Sequence, residues 1–308
     1  MIAVTAATGH LGHLVVDSLV ERGVAPERIV AAVRTPAKAA DLAERGVVVR
    51  EADYSRPETL ATALAGVDVL LLVSGSEVGQ RVQQHANVVE AARAAGVRHL
   101  VYTSAPQATT SALVLAPEHK ATEELVAASG LPATILRNGW YTENYLGAVE
   151  QARETGVVLG SVGEGLVASA SRKDYAEAAA VVLAAAEADP AFEGGVHELS
   201  GDVAWDHPYL AATVGEIVGR EVVYQDVTPE VHAQILLDAG LDEGTAGFVV
   251  ALDGNTRDGL LAATSGELSR LLGRPTTPLA EGLRAAVGVA SAGRPGARRV
   301  GQHRLPFS

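Results

Sequence analysis

Thr5-Ala6-Ala7-Thr8-Gly9-His10-Leu11-Gly12 stands between the apolar run Ile2-Ala3-Val4 and the amphipathic run Leu14-Val15-Val16-Asp17-Ser18-Leu19-Val20. Strand, glycine-rich turn and helix in that order form a dinucleotide site. The turn brings backbone N–H groups and the positive end of a helix dipole against a pyrophosphate. One glycine of the pattern G-x-x-G-x-x-G is absent, because Ala6 stands ahead of Gly9 and Gly12. A methyl group there crowds the turn if its φ is positive and is harmless if φ is negative.

Outward from that turn the same unit repeats. Strands are expected at Ile2 to Thr5, Ile29 to Val33, Val47 to Arg50, Val69 to Val73, Leu100 to Thr103 and Ala133 to Leu136, several of them continuous apolar runs of the kind covered by helices on both faces. Helical periodicity fills the gaps at Gly12 to Arg22, Pro36 to Glu44, Pro57 to Ala65, Val78 to Ala95 and Glu118 to Ser129. Pro36 and Pro57 suit the first helical position, and Gly46, Gly66, Gly96 and Gly130 suit the residue after a helix. The fold class is therefore α/β, a Rossmann-type doubly wound parallel sheet with right-handed crossovers.

After Arg137 the rhythm changes. A polar, aromatic stretch from Asn138 to Tyr145 leads to a short strand at Val157 to Gly160 and an Ala-rich helix at Tyr175 to Ala188. Short strands (Val196 to Ser200, Val222 to Gln225) and helices from near Pro208, Pro229 and Thr277 complete a smaller α+β lobe. The expected organisation is a nucleotide-binding domain over 1–137 and a substrate lobe over 138–288 that exchanges chain with the first domain. A basic, aperiodic tail over 289–308 is expected to be disordered.

Bulk properties narrow the function. A formal charge of −13 speaks against nucleic-acid binding, which needs a basic face. The absence of cysteine removes disulfides and thiol chemistry, and the nine histidines lack ligand spacing, so no metal site is expected. Met1 leads straight into a strand and no apolar run spans a bilayer, so the expectation is a cytoplasmic protein without signal peptide or membrane contact. A homodimer is compatible with the sequence and not required by it.

Arg34 follows the second strand about 20 residues beyond the turn, where NAD enzymes often place an acid for the ribose hydroxyls. An arginine there pairs instead with a 2′-phosphate, and Lys38 lies one helical turn further on, so the expected cofactor is NADPH. Asp53-Tyr54 and Ser74-Gly75-Ser76 follow the third and fourth strands, the first placed to flank the adenine, the second small enough for a close backbone approach. None of the seven tyrosines has a lysine four residues later, which speaks against the Tyr-x-x-x-Lys proton-transfer device of ordinary short-chain dehydrogenases.

The strings Thr5 to Gly12, Arg34 with Pro36-Ala37-Lys38, and Ser76-Glu77-Val78-Gly79-Gln80-Arg81 carry a family resemblance in the first half. Leu136-Arg137-Asn138-Gly139-Trp140-Tyr141-Thr142-Glu143-Asn144-Tyr145 and Ala168-Ser169-Ala170-Ser171-Arg172-Lys173-Asp174-Tyr175 carry it in the second. Together they resemble the NmrA-like atypical short-chain dehydrogenases, in particular the bacterial NADPH:quinone oxidoreductases of that group, from Met1 to about Ala285. The resemblance implies that Ala6, Ala7, Thr8, Gly9, His10, Leu11 and Gly12 meet the pyrophosphate, and Arg34 with Lys38 the 2′-phosphate. It puts Ser74, Gly75 and Ser76 near the nicotinamide half. Asn138, Gly139, Trp140, Tyr141, Thr142 and Glu143 would surround the nicotinamide and the substrate mouth, with Ser169 or Arg172 closing from the second lobe. Ala6 departs from the family's usual glycine.

A quinone takes a hydride without a base that removes a substrate proton, so the chemistry asks for alignment and a donor to the developing oxyanion. Trp140 and Tyr141 offer an aromatic wall, and Trp140 serves equally as core. Tyr141, Asn138 and His119 are the candidate catalytic residues; His119 precedes by four the Glu123 that stands where related enzymes often carry lysine. The alternative is a non-catalytic NADP(H)-binding redox sensor of the NmrA type.

Overall fold

The computed structural model describes residues 1–292, with side chains to 288. Through the first half β1 (Ile2–Thr5), α1 (His10–Glu21), β2 (Ile29–Val33), α2 (Ala40–Glu44), β3 (Val48–Glu51), α3 (Pro57–Ala63), β4 (Val69–Leu72), α4 (Arg81–Ala95), β5 (His99–Ser104), α5 (Ala116–Ala128) and β6 (Ala133–Asn138) alternate strictly. The second half adds α6 (Leu146–Thr155), β7 (Val157–Gly160), α7 (Arg172–Ala188), β8 (Gly195–Leu199), α8 (His207–Val218), β9 (Val223–Asp226), α9 (Pro229–Asp238), α10 (Glu243–Arg257), α11 (Glu267–Leu272) and α12 (Leu279–Ala292).

Seven strands form one parallel sheet in the order β3-β2-β1-β4-β5-β6-β8. Burial on both faces explains the continuous apolar strands. Ile2 and Val4 of β1, with Val69 and Leu71 of β4, pack into the layer of α1 and α7, whereas Ala3, Leu70 and Leu72 pack into the layer of α3, α4 and α5. α7 lies against α1, and β8 extends the sheet beyond β6, so the chain returns to the large domain after first leaving it. A third core, with Val149, Val158, Trp205, Leu210 and Leu283, holds the smaller lobe together around the two-stranded parallel pair β7-β9.

Sequence and structure differ at several places. The helix expected over Pro36 to Glu44 is a 3-10 turn, Pro36–Ala39, followed by α2, because Ala39 leaves helical geometry at φ −108°. The helix expected from Val78 begins only at Arg81, since Gly79 takes a φ of 85°. Gly46, Gly66, Gly96 and Gly130 all end helices in the left-handed conformation, as their positions suggested. α6, α10 and α11 carry no signal that the periodicity reading detected. α12 runs to Ala292, four residues into the stretch read as a tail, and the remainder of that tail lies outside the described residues. No helix among the described residues is long and apolar enough to cross a membrane.

Candidate functional site

Because the large sheet is parallel, the C-terminal ends of its strands share one edge. The strand order reverses between β1 and β4, opening a crevice there. The turn after β1 forms its floor. Ala6 adopts φ 48°, its carbonyl accepts from Gly9 N at 2.8 Å, and α1 starts with Gly9 as its cap. The condition set by the sequence is thus met in the unfavourable sense, since the methyl group sits in the left-handed region that costs L residues about 1–2 kcal/mol. Gly12 is dictated by contact: a Cβ there would lie 2.4 Å from the Ala6 carbonyl oxygen. No side chain caps α1 and no acid sits in its first turn, so neither a cap nor a first-turn carboxylate competes with an anion at its N–H groups. Ala7 is buried under the turn, Thr8 and His10 face outward, and Leu11 reaches the cavity described below. Burial and the Arg172 guanidinium both lower the His10 pKa.

At the outer end of the crevice Arg34 and Lys38 are both exposed. The Arg34 guanidinium meets Glu77 at 3.1 Å, and the other Glu77 oxygen accepts from Gln84 at 2.8 Å. Tyr54 turns its hydroxyl inward to Thr5 and to the Val73 carbonyl, and Asp53 accepts from the Ser55 N–H in a local turn. Tyr54 thereby braces the ends of β1 and β4.

The Ser74–Gly75–Ser76 loop is tied from below. Ser74 N donates to Thr103 Oγ1 at 2.9 Å, Gly75 N to His85 Nε2 at 2.9 Å, and Arg81 Nε donates to the Gly75 carbonyl at 2.7 Å. Arg81 is in turn paired at 2.6 Å with Glu118, whose other oxygen holds Gly79 N. Arg81 closes a string that carries the family resemblance, whereas His85 and Glu118 have no assigned role in the sequence reading. Their only signal is the four-residue spacing of Arg81 with His85 and of Glu118 with Thr122, which puts each pair on one helix face.

Beyond the loop lies a cavity of about 150 Å³ whose lining includes Leu11, Ser74, Gly75, Ser76, His119, Asn138, Gly139, Trp140, Tyr141 and Arg172. The chain leaves β6 at Asn138 and is clamped to the second lobe: Ala170 N donates to the Trp140 carbonyl at 3.1 Å and Thr142 N to the Ala170 carbonyl at 2.9 Å. Glu143 fixes the start of α7, its two oxygens each 3.0 Å from Arg172 N; burial nonetheless raises its pKa. The Arg172 guanidinium lies 5.1 Å over the Tyr141 ring. Ser169 is absent from the cavity lining: it bonds Thr142 at 3.0 Å and Trp205 at 3.2 Å, supporting the wall from behind. Trp140 packs on the core of the smaller lobe and also separates this cavity from a second one beside Gln107 and Ser200, so it is both core and wall.

The candidate catalytic groups converge. Asn138 is buried; its Nδ2 lies 3.4 Å from the Tyr141 hydroxyl, and its Oδ1 has no hydrogen-bond partner. Burial raises the Tyr141 pKa, so the phenol is a hydrogen-bond donor rather than an acid. His119 is no surface residue: it is 6% exposed, its Nδ1 lies 2.8 Å from the Tyr102 hydroxyl, and burial with nearby Arg81 and His85 holds its pKa down to about 3. A protonated imidazole is thereby excluded at neutral pH, which leaves His119 a hydrogen bond to offer and no ready proton. Glu123 is held by Arg137 through two bonds of 2.9 and 2.6 Å and by Ser104 at 2.6 Å, so the position of the usual lysine is filled by a closed ion pair. No cluster of metal-binding side chains occurs among the described residues.

A turn without competing acids, a left-handed Ala6 closed on Gly12, and an orphaned Asn138 oxygen all fit a nicotinamide dinucleotide. A family model described as NAD(P)H-binding matches residues 6–186. The chain belongs to this family, in its NmrA-like branch of atypical short-chain dehydrogenases. Quinone oxidoreductase 2 of Escherichia coli K12 is 49% identical over 281 residues, 91% of this chain and 96% of that protein. The crystal structure of an NADPH-dependent quinone oxidoreductase from Escherichia coli complexed with NADPH matches with a TM-score of 0.87 at 48% identity, covering 93% of this chain and 100% of the other. That of the Citrobacter sp. triphenylmethane reductase complexed with NADP(H) gives 0.86 at 38% identity, over 93% and 100%.

Proposed function

We propose that the protein is an NADPH-dependent reductase that transfers a hydride to a quinone or a similar planar electrophilic acceptor. The observation that carries the reading is the cavity itself. It is walled by Trp140 and Tyr141, touches the Ser74–Ser76 loop, and offers neutral hydrogen-bonding groups without a free general base. Such a site suits an acceptor that needs alignment and stabilisation of a developing oxyanion more than proton abstraction. The names of the Escherichia coli and Citrobacter relatives point the same way.

Bound NADPH supplies the hydride; everything else falls to the chain. Arg34 and Lys38 would receive the 2′-phosphate, Arg34 exchanging for it an exposed contact with Glu77. The turn from Ala6 to Gly12 would hold the pyrophosphate, and the unpaired Asn138 Oδ1 would accept from the nicotinamide carboxamide. His119 and Tyr141 donate hydrogen bonds to the acceptor's oxygens, and Arg172, at the start of α7 and over the Tyr141 ring, closes the cavity from the second lobe. The single proton that, with the hydride, completes the hydroquinone comes from water. A cytoplasmic setting accompanies this reading, in keeping with a chain that has no cysteine.

The test is NADPH oxidation with benzoquinone-type acceptors, with NADH in parallel. Turnover with NADPH is expected. Arg34→Ala should raise the NADPH KM by about 10- to 100-fold, the equivalent of about 1.5–3 kcal/mol for a charge-assisted bond, and alter the NADH KM less than about twofold. Tight NADPH binding without turnover on any acceptor would transfer the reading to the redox sensor.

A further inference from the structure

Beneath the cavity a buried chain of hydrogen bonds runs from the Ser74–Ser76 loop toward His119, and its directions can be read from one end. A backbone N–H only donates, so His85 Nε2, 2.9 Å from Gly75 N, is an acceptor and carries no proton. Burial, aided by Arg81, lowers the His85 pKa to about 3, so the ring is neutral and its single proton sits on Nδ1. That proton is donated to Thr122 Oγ1 at 3.0 Å, and the Thr122 hydroxyl donates in turn to the Glu118 carbonyl at 2.9 Å. Thr122 therefore has no proton left to give.

Tyr102 lies beside this chain, fully buried, its ring edge-on to His85 with centroids 5.5 Å apart. Its hydroxyl is 2.8 Å from His119 Nδ1. The Thr122 oxygen already accepts from His85, and an imidazole nitrogen is a far stronger acceptor than a phenol oxygen, so the phenolic proton points at His119 Nδ1. The one remaining proton of a neutral His119 then sits on Nε2, the ring nitrogen left for the cavity that His119 lines.

We infer that Tyr102 is a positioning residue that fixes His119 in the Nε2–H tautomer, so that the cavity presents a neutral imidazole N–H to the oxygen of a bound acceptor. The tautomer follows from the bonds together with the neutrality of the two buried rings; its use on an acceptor oxygen rests on the quinone-reductase reading. The device spares the site an imidazolium and still provides a directed donor where negative charge develops. Beside it, the bonds through His85 and Thr122 tie the loop beside the cofactor to α5, the helix that also carries His119.

Two measurements test it. In the full-length protein labelled with 15N-histidine, long-range proton–nitrogen spectra at neutral pH, assigned with His119→Gln, should show His119 with a bare, hydrogen-bonded Nδ1 and a protonated Nε2. In Tyr102→Phe the hydrogen-bonded signature of Nδ1 should vanish and an Nδ1–H form should become visible. A wild-type His119 protonated on Nδ1 overturns the inference, whatever the protein reduces. In kinetics, Tyr102→Phe should lower kcat about tenfold with the NADPH KM within about twofold of wild type, a loss of about 1.4 kcal/mol. Placed on His119→Gln, whose amide N–H has no tautomer to fix, the same change should cost less than about twofold. An equal loss in both backgrounds would mean that Tyr102 supports the fold and nothing more. Should Tyr102→Phe fail to fold, the wild-type spectrum still decides.

Discussion

Arg34 and Arg137 each meet a glutamate at the same edge of the sheet, and the two pairs are built for opposite purposes. Arg34 touches Glu77 through one contact of 3.1 Å, with the side chains 71% and 43% exposed. Arg137 grips Glu123 through two bonds and Glu198 through a third of 2.8 Å, with Arg137 and Glu123 at 12% and 9%. The exposed pair contributes little to folding, and an incoming phosphate can replace the carboxylate at small cost. The buried pair is a closed unit in which Arg137 and Ser104 engage both Glu123 oxygens. A site can thus hold one arginine ready for a ligand and another wholly committed to architecture. Arg137→Met, which leaves the Glu123 carboxylate buried with Ser104, should lower the unfolding free energy by about 3–5 kcal/mol. Arg34→Met should change it by less than about 0.5 kcal/mol. Urea unfolding of both variants without cofactor measures the contrast, and equal losses would erase it.

Acidification sharpens the same distinction. His85 and His119 are buried on the acceptor side with pKa values lowered to about 3 from an ordinary 6.5, by desolvation first and neighbouring cations second. The unfolded chain therefore binds more protons than the folded one throughout that interval. The stability these neutral rings contribute is present in full above about pH 6.5 and is lost as pH falls toward 3. The two together should cost roughly 2.7 kcal/mol per pH unit below about pH 6. Unfolding midpoints at pH 7.5, 6.5 and 5.5 would show the slope, and His119→Gln should reduce it by about 1.4 kcal/mol per pH unit. By the same reasoning the pH profile of kcat should carry no imidazole step between pH 5 and 8. A step that disappears with His119→Gln would return His119 to the role of acid.

The large sheet was legible because its central strands β1, β2 and β4 are apolar runs and its helices are punctuated by Pro36 and Pro57 before and Gly96 and Gly130 after. α10 escaped notice because Gly244, Gly247 and Gly254 dilute its helical signal, and α11 because six residues are too few for periodicity to show. The site divides along similar lines. The turn, Arg34 and the Ser74–Ser76 loop follow from parallel topology, which fixes where strand ends must lie. Tyr102, His85 and Thr122 belong to three elements that meet only when β5 is sandwiched under α4 and α5, and nothing in their local sequence announces the meeting. His119 was visible as a candidate, yet its neutrality depends on burial by those same residues.

Ala6 offers the finest probe, because it lies on the cofactor side, where little stability is at stake. Its φ of 48° is strained for an L residue by about 1–2 kcal/mol, while a glycine there would give back about 0.5–1 kcal/mol through the greater freedom of its unfolded chain. Ala6→Gly should therefore stabilise the protein by about 0.5–1 kcal/mol, read as a small rise in urea midpoint. Because the Ala6 carbonyl already bonds Gly9 N at 2.8 Å and abuts Gly12, the turn is set before any cofactor arrives. The NADPH Kd should then move by less than about threefold, far less than on loss of Arg34. A tenfold tightening would mean instead that the Ala6 methyl group obstructs the pyrophosphate, and that the strain in this turn is borne at the expense of binding.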